Sequence, residues 1–293
     1  MEWWHAIILG LVEGITEYLP VSSTGHLILA SALLKLDTPA LKDAVDDFEI
    51  IIQGGAILAV LGLYRARVLQ MLRGLIGRDP AGLRLVVNLV IAFLPAAFLG
   101  WLLHDWIKAH LFFAGPVLGA VLVGGLYIFV VDWWRRGRFS TVPHHSAMRE
   151  IDELTPSGAL LIGVLQCVAL WPGTSRSLMT ITGGIFGRLR PAAAAEFSFL
   201  LGLPTLGAAT VYSLLKNLSR ARHDGVPNLF QKLGTVPCLL GVVFAALSAA
   251  IAVKWLVGFL NRHGLAPFGW YRVVLFAVLT TLIAARVVSI TPG

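Results

Sequence analysis

Two acidic side chains interrupt the first apolar stretch of the chain. Glu13 and Glu17 are four residues apart, so on a helix they project from one face within about 6 Å of each other. Two carboxylates in a low-dielectric medium cannot both stay ionised unless a cation lies between them or one keeps a proton. Mg²⁺ or Ca²⁺ is the expected companion, above all where phosphate oxygens complete its shell. The pair is therefore predicted to bind a metal, and the alternative is that one glutamate caps the helix while the other faces water.

A run of hydroxyl groups follows the two acids. Ser22, Ser23 and Thr24 come directly after Pro20-Val21, and His26 lies three residues beyond Ser23. A serine with a histidine in reach acts as nucleophile and base, but His26 attacking directly and an activated water are equally open. The serines also suit the N-cap of a second helix, whose exposed amides bind phosphate.

A second polar run contains an arginine. Ser175, Arg176 and Ser177 stand in a similar setting, and Arg176 is the only basic residue inside the predicted broken segments and span cores. A guanidinium donates to two phosphate oxygens at once and stays charged, which suits a transferred phosphoryl group. Thr180, one turn later, adds a hydroxyl on the same face. The alternative is a structural ion pair between Arg176 and one of the two glutamates.

Four further polar residues lie in the apolar segments that follow. Glu49 and Gln53 are one turn apart and are expected to complete a metal or phosphate shell, and Glu196 and Ser198 lie in the corresponding segment of the second half. Solvated or capping roles are the alternative for all four.

The composition places these residues in a membrane protein. Of the 293 residues, 57% are hydrophobic and 13% are charged, and the mean hydropathy is +0.80, whereas soluble domains are about 45–50% apolar and 25% charged. The net charge of +7 comes from arginines in short loops rather than in a stripe, so a nucleic-acid partner is not expected.

Apolar segments of spanning length predict the architecture. Two segments, 2–35 and 157–188, are broken in the middle by polar, Pro- and Gly-containing stretches, which favours re-entrant helical hairpins lining a wet cavity. The fold class is therefore an all-α polytopic membrane protein with about six transmembrane helices plus two re-entrant hairpins. The six ordinary spans are predicted at about 48–64, 85–103, 113–131, 192–215, 236–257 and 272–290.

The two broken segments also predict an inverted repeat. Pro20–Gly25 aligns with Pro172–Ser177, which matches Ser23 with Ser175. Each half then holds one hairpin and three spans, and the odd number of crossings inverts the second copy. We expect a single membrane domain, 1–293, with halves of about 1–134 and 155–293 joined by a cytoplasmic loop.

Basic residues predict the orientation. The 64–84 and 134–155 loops are rich in arginine and are expected in the cytoplasm, with both termini in the periplasm. The basic 216–235 loop opposes this assignment.

Three stretches resemble the signature motifs of a known family. Val12–His26, Phe48–Gln53 and Pro172–Thr180 are similar to those of undecaprenyl-diphosphate phosphatases of the bacitracin-resistance type, and the resemblance runs nearly end to end. It implies hydrolysis of undecaprenyl diphosphate to the monophosphate, which recycles the lipid carrier for peptidoglycan synthesis and confers bacitracin resistance. It also implies a divalent metal and a periplasm-facing site in the bacterial inner membrane.

The resemblance also implies site residues and partners. A polyprenyl diphosphate and membrane lipids are the expected partners, and a homodimer is one possible assembly. Leu178-Met179 departs from the small Gly-Ala pair expected after Ser-Arg-Ser. The residues that fall on the family's functional positions are Glu13, Glu17, Ser23, His26, Ser175, Arg176 and Thr180.

Three other classes compete with this hypothesis. A secondary transporter or lipid flippase shares the inverted-repeat architecture, but clustered Glu, Ser, His and Arg favour chemistry. The other membrane phosphatase type needs a histidine where Thr182 stands, six residues after Arg176. A structural scaffold would not need a buried arginine.

Overall fold

The computed structural model describes residues 1–38, 41–139 and 148–288, and these residues are helical apart from loops and one isolated bridge between Arg149 and Leu189. A short 3-10 helix, Ile151–Glu153, precedes α7. The α-helices are α1 (Trp3–Thr16), α2 (Ser23–Leu33), α3 (Lys42–Leu63), α4 (Arg65–Leu75), α5 (Pro80–Leu111), α6 (Ala114–Phe139), α7 (Pro156–Val168), α8 (Arg176–Phe186), α9 (Pro191–His223), α10 (Leu229–Leu233), α11 (Thr235–His263) and α12 (Ala266–Ala284).

Long apolar helices confirm the predicted class, an all-α polytopic membrane protein. Five helices, α5, α6, α9, α11 and α12, are long and apolar enough to cross a bilayer. The sixth predicted span corresponds to α3, which is 22 residues long but carries acids in its first two turns. Helix α12 begins six residues before the predicted 272–290 span, so Arg272 lies inside the helix rather than at its edge.

The two broken segments form pairs of short helices. Helices α1 and α2 contain 14 and 11 residues, and α7 and α8 contain 13 and 11. Each is well short of the roughly 20 residues that span a bilayer. We call α1–α2 hairpin 1 and α7–α8 hairpin 2.

Corresponding helices of the two halves run antiparallel. Arg67, just after α3, donates to Glu196 near the start of α9 at 2.8 Å. At the other end, Asn217 near the end of α9 donates to Asp47 near the start of α3 at 2.8 Å. This arrangement supports the inverted-repeat prediction, because inversion makes equivalent helices antiparallel. The proposed boundaries of the halves stay a prediction.

Each hairpin packs against a long helix of the other half. An added Cβ at Gly10 of α1 would meet the carbonyl of Gly241 in α11, and one at Gly163 of α7 would meet the backbone of Ala92 in α5 at 2.6 Å. Glycine lets these backbones touch, as small residues do in membrane interfaces. Hairpin 1 is thus held by a helix of the second half, and hairpin 2 by a helix of the first half.

The two predicted cytoplasmic loops meet at one end of the molecule. Arg67, in the 64–84 loop, donates to Asp152 at 2.9 Å as well as to Glu196. The loops therefore share one face, although residues 140–147 of the 134–155 loop lie outside the described residues. The side of the membrane that this face occupies stays a prediction.

We expect Gly14→Ala to destabilise the protein. An added Cβ would collide with the Ser248 hydroxyl and the Ala245 carbonyl of α11, and overpacking of this kind costs about 1–3 kcal/mol. Gly119→Ala is the matched control, because an added Cβ there meets nothing within 4 Å. Thermal unfolding in detergent should show a lower midpoint for Gly14→Ala alone. Equal midpoints would contradict the α1–α11 contact.

Candidate active site

The two hairpins turn through the same unusual backbone conformation. Ser22 has a φ of 75° and Ser175 a φ of 80°, in a region that residues other than glycine rarely adopt. Each serine caps the helix that follows, since Ser22 Oγ accepts from the Gly25 N–H and Ser175 Oγ accepts from the Leu178 N–H, both at 3.3 Å. Strain of this kind is concentrated at functional sites.

These caps correct the predicted alignment of the repeat by one residue. The sequence matched Ser23 with Ser175, but the shared cap and φ pair Ser22 with Ser175. Ser23 and Arg176 are then equivalent, because each is the first residue of its helix. A motif alignment without backbone geometry favours matching serines and so misses the shift.

Glu17 connects the two hairpins. It follows the last residue of α1, and its side chain is 7% exposed. Ser23 Oγ donates to Glu17 Oε2 at 2.9 Å, and Arg176 Nη2 donates to Glu17 Oε1 at 3.1 Å. The first residues of α2 and α8 therefore meet on one carboxylate, and the ion pair that the sequence offered as an alternative for Arg176 is present.

Further contacts fix the arginine. Arg176 Nη1 donates to the Ser198 carbonyl at 2.9 Å, and its guanidinium lies 5.7 Å from the centre of the Tyr18 ring. Tyr18 is in turn held by its hydroxyl, which donates to the Ala56 carbonyl at 3.0 Å. These contacts give the guanidinium a defined position.

A cavity of about 130 Å³ opens between the hairpins. This is several times the space that one buried water needs. Gln53 of α3 and Trp171 of hairpin 2 contribute to its wall. The predicted site residues that line it are Glu17, Ser22, Ser23, Thr24, Gln53, Ser175 and Arg176.

Two predicted substrate-binding residues lie beneath the cavity instead. Ser177 donates to the Leu19 carbonyl at 2.8 Å and joins the hairpins. Thr180 donates to the Arg176 carbonyl at 2.9 Å and shares a hydrogen bond with the Ser198 hydroxyl at 2.6 Å. Both side chains are fully buried, so they support Arg176 and hairpin 1 rather than line the cavity.

His26 is not paired with Ser23. Its Nδ1 lies 2.7 Å from the Ser22 carbonyl, and its Nε2 lies 2.6 Å from the Tyr271 hydroxyl. Because a carbonyl oxygen only accepts, Nδ1 carries a proton and donates to it, so both ring nitrogens have partners other than Ser23. The base within reach of Ser23 is therefore Glu17.

The three predicted metal ligands are not assembled together. Glu13 is fully buried and both its carboxylate oxygens lack a hydrogen-bond partner, whereas Glu49 accepts from Ser31 at 2.8 Å. Across the described ranges, no three His, Cys, Asp or Glu side chains form a metal-binding group. The unpartnered Glu13, one turn from Glu17, still fits a cation, because a buried carboxylate needs a counter-charge or a proton.

Comparison with known proteins assigns the chain to a family. Residues 6–278 match the sequence profile described as "Bacitracin resistance protein BacA". The chain belongs to the BacA family. An "Undecaprenyl-diphosphatase" of Sorangium cellulosum is 48% identical, over 96% of this chain and 87% of the relative. The "Undecaprenyl-diphosphatase 2" of Rhodospirillum rubrum is 47% identical over 97% and 96%, and the "Undecaprenyl-diphosphatase" of Deinococcus radiodurans is 40% identical over 99% and 98%.

Leu178 and Met179, which stand where the family resemblance predicts a small Gly-Ala pair, lie in the core. Leu178 is fully buried and Met179 is 5% exposed, and both belong to the main apolar cluster. Neither residue lines the cavity. The larger side chains therefore change packing behind α8 without removing a polar group from the site.

Two site-adjacent residues of this BacA chain were missed by sequence reasoning. Arg272 of α12 is fully buried, so Arg176 is not the only basic residue inside the helical core. Tyr271 precedes it and contacts His26. The predicted span began at 272, where an arginine is an ordinary interfacial residue. The uncharged residues 266–271 before Arg272 were the available signal that the helix begins earlier.

We expect Ser22→Gly to be better tolerated than Ser22→Ala. Both lose the side-chain cap, but glycine relieves the positive φ, whereas alanine keeps the strain and replaces the cap with an apolar group. Unfolding midpoints in detergent should differ by the equivalent of about 1 kcal/mol. An alanine variant at least as stable as the glycine variant would contradict the strained cap.

Proposed function

We propose that the protein hydrolyses undecaprenyl diphosphate to undecaprenyl phosphate and phosphate. The observation that carries this proposal is the meeting of Ser23 and Arg176, the first residues of two converging helices, on Glu17 beside a cavity. A serine hydroxyl, the carboxylate that accepts its hydrogen bond and a guanidinium therefore lie together. The family's relatives, named undecaprenyl-diphosphatases, support the choice of substrate.

Phosphate recognition follows from charge and backbone geometry. The amino-terminal ends of α2 and α8 carry backbone N–H groups that have no partner within the helix, together with the positive end of the helix dipole. Arg176 adds a planar guanidinium, whose fork of two parallel N–H groups donates to two phosphate oxygens at once. An oxyanion entering the cavity would thus replace part of the contact that Glu17 now makes with Arg176.

The proposed chemistry transfers the terminal phosphoryl group to Ser23. Its Oγ attacks the terminal phosphorus, the bond to the bridging oxygen breaks, and the lipid leaves as its monophosphate while the serine proton passes to Glu17. Water then attacks the phosphoserine, the serine oxygen takes back the proton from Glu17, and phosphate leaves. One proton of the water stays on the released phosphate, and the other goes to solvent.

A divalent cation completes the proposal. Glu13 and Glu17 would hold Mg²⁺ or Ca²⁺, which would supply positive charge against the phosphate oxygens. Glu49, which accepts a hydrogen bond from Ser31, would lie outside the ligand shell of the ion rather than bind the ion directly.

The membrane setting fits lipid-carrier recycling. We place the protein in the bacterial inner membrane with its cavity open to the periplasm, where hydrolysis would return the carrier to peptidoglycan synthesis and confer bacitracin resistance. The arginine-rich 64–84 loop, which would be cytoplasmic, supports this orientation.

Phosphate release from undecaprenyl diphosphate by purified protein tests the function. We expect multiple turnovers that a chelator abolishes and that Mg²⁺ or Ca²⁺ restores. A transporter or flippase would release no phosphate from wild-type protein, and that result would overturn the proposal.

We expect Arg176→Lys to lose about 10²–10³ in turnover, because lysine keeps the charge but loses the fork. The measurement is phosphate release by monodisperse variants in detergent. Arg286→Lys is the control, since Arg286 is an exposed residue after α12. A lysine variant within a few-fold of wild type would instead make the Arg176 ion pair with Glu17 structural.

We expect Glu13→Gln to weaken Mn²⁺ binding, measured by electron paramagnetic resonance as a spectroscopic substitute for Mg²⁺, and to raise the Mg²⁺ concentration needed for activity. The amide removes the carboxylate oxygens that would coordinate the cation. Asp43→Asn, an exposed acid of α3, is the control. Unchanged Mn²⁺ binding in Glu13→Gln would place the metal elsewhere.

A further inference from the structure

A second arginine lies beside the cavity without an acidic partner. Arg272 of α12 is 0% exposed, and no carboxylate among the described residues lies within ion-pair distance of it. Charged side chains at such positions are costly and mark functional sites by default. The guanidinium must therefore be held by something other than an ion pair.

Three backbone carbonyls hold this guanidinium. Arg272 Nε donates to the Val121 carbonyl at 3.1 Å, and Nη2 donates to the carbonyls of Ala120 at 2.9 Å and Gly173 at 2.8 Å. Ala120 and Val121 belong to α6, whereas Gly173 belongs to the break in hairpin 2, the segment 169–175 between α7 and α8. Arg272 thus ties that break to two long helices.

The turn that Arg272 contacts leads directly into the strained cap. The Thr174 N–H donates to the Trp171 carbonyl at 3.1 Å, and Gly173 has a φ of 95°. With Pro172 before Gly173, this pattern matches a type II turn. Gly173 lines the cavity, and Ser175 and Arg176 follow within three residues. A shift of the Gly173 carbonyl would therefore move the start of α8.

The preceding residue of α12 contacts the other hairpin. Tyr271 lies 2.6 Å from His26 of α2 through its hydroxyl, while Arg272 contacts Gly173. Two consecutive residues of one helix thus contact both hairpins. The relative position of α2 and α8 then depends on α12 as well as on the hairpins themselves.

We propose that Arg272 is a positioning residue, which fixes the Trp171–Thr174 turn so that Arg176 and the amino terminus of α8 face the bound phosphate. This inference rests on the proposed phosphatase function. Arg272 does not line the cavity, so it acts through the turn and through Arg176. Its three carbonyl contacts need the planar guanidinium, which a lysine ammonium cannot reproduce.

Helix α6 offers a way to displace this guanidinium without removing its charge. An added Cβ at Gly124 would collide with Arg272 Nη2 and lie 2.8 Å from its Cζ. Gly119, on the same helix, has nothing within 4 Å of an added Cβ. Gly124→Ala and Gly119→Ala are therefore a matched pair that differs in contact with Arg272.

The test is steady-state phosphate release from undecaprenyl diphosphate by monodisperse wild type, Arg272→Lys, Gly124→Ala, the double variant and Gly119→Ala. We expect kcat to fall about 10- to 100-fold in both single variants with KM within a few-fold, since a misplacement of about 1 Å can cost about 10²-fold. The double variant should fall no further than the worse single variant. Gly119→Ala should match wild type.

The results distinguish failure of the proposed phosphatase function from failure of the positioning role of Arg272. A wild type that releases no phosphate overturns the proposed function. An active wild type with unchanged kcat in folded Arg272→Lys or Gly124→Ala overturns the positioning role and leaves Arg272 structural. If Arg272→Lys does not fold, Gly124→Ala decides, because it retains the arginine.

Discussion

The structure depends on one buried ion pair between two hairpins that come from opposite halves of the chain. Glu17 closes α1 and Arg176 opens α8, and their side chains are 7% and 10% exposed. Removing one partner of a buried pair leaves an uncompensated charge, which costs about 3–5 kcal/mol. The pair therefore fixes the distance between the hairpins and keeps the charges at the cavity, where a phosphate can compete for the arginine.

The two hairpins have diverged in charge while keeping their geometry. With Ser22 equivalent to Ser175, Glu13 corresponds to Gln166 and Glu17 to Leu170. Gln166 is buried without a hydrogen-bond partner for either amide atom, as Glu13 is for its carboxylate. Hairpin 1 thus supplies acids that suit a cation, whereas hairpin 2 supplies Arg176 and suits an anion. One asymmetric site, rather than two equal sites, follows from this division.

The membrane class and the broken segments could be predicted because hydrophobic length and polar interruptions are local properties of the sequence. Glu17, Ser23 and Arg176 were predicted from residue type, and the structure brings them together. The pairing of His26 with Tyr271, the Ser22–Ser175 equivalence and the burial of Arg272 depend on contacts between distant helices and on backbone angles. Thr180 was predicted to add a hydroxyl to the site, and in the structure that hydroxyl bonds to Arg176 and Ser198 within the core.

The most direct test of the account is a double-mutant cycle on phosphate release from undecaprenyl diphosphate, with Glu17→Asp and Arg176→Lys as the single changes. Both changes keep charge and alter only reach and geometry, so folded variants with measurable turnover are expected. If the two residues form one catalytic unit across the hairpins, the double variant falls no further than the worse single variant. A double variant whose loss equals the product of the two single losses would show that the residues act independently, and would contradict a site built on their contact.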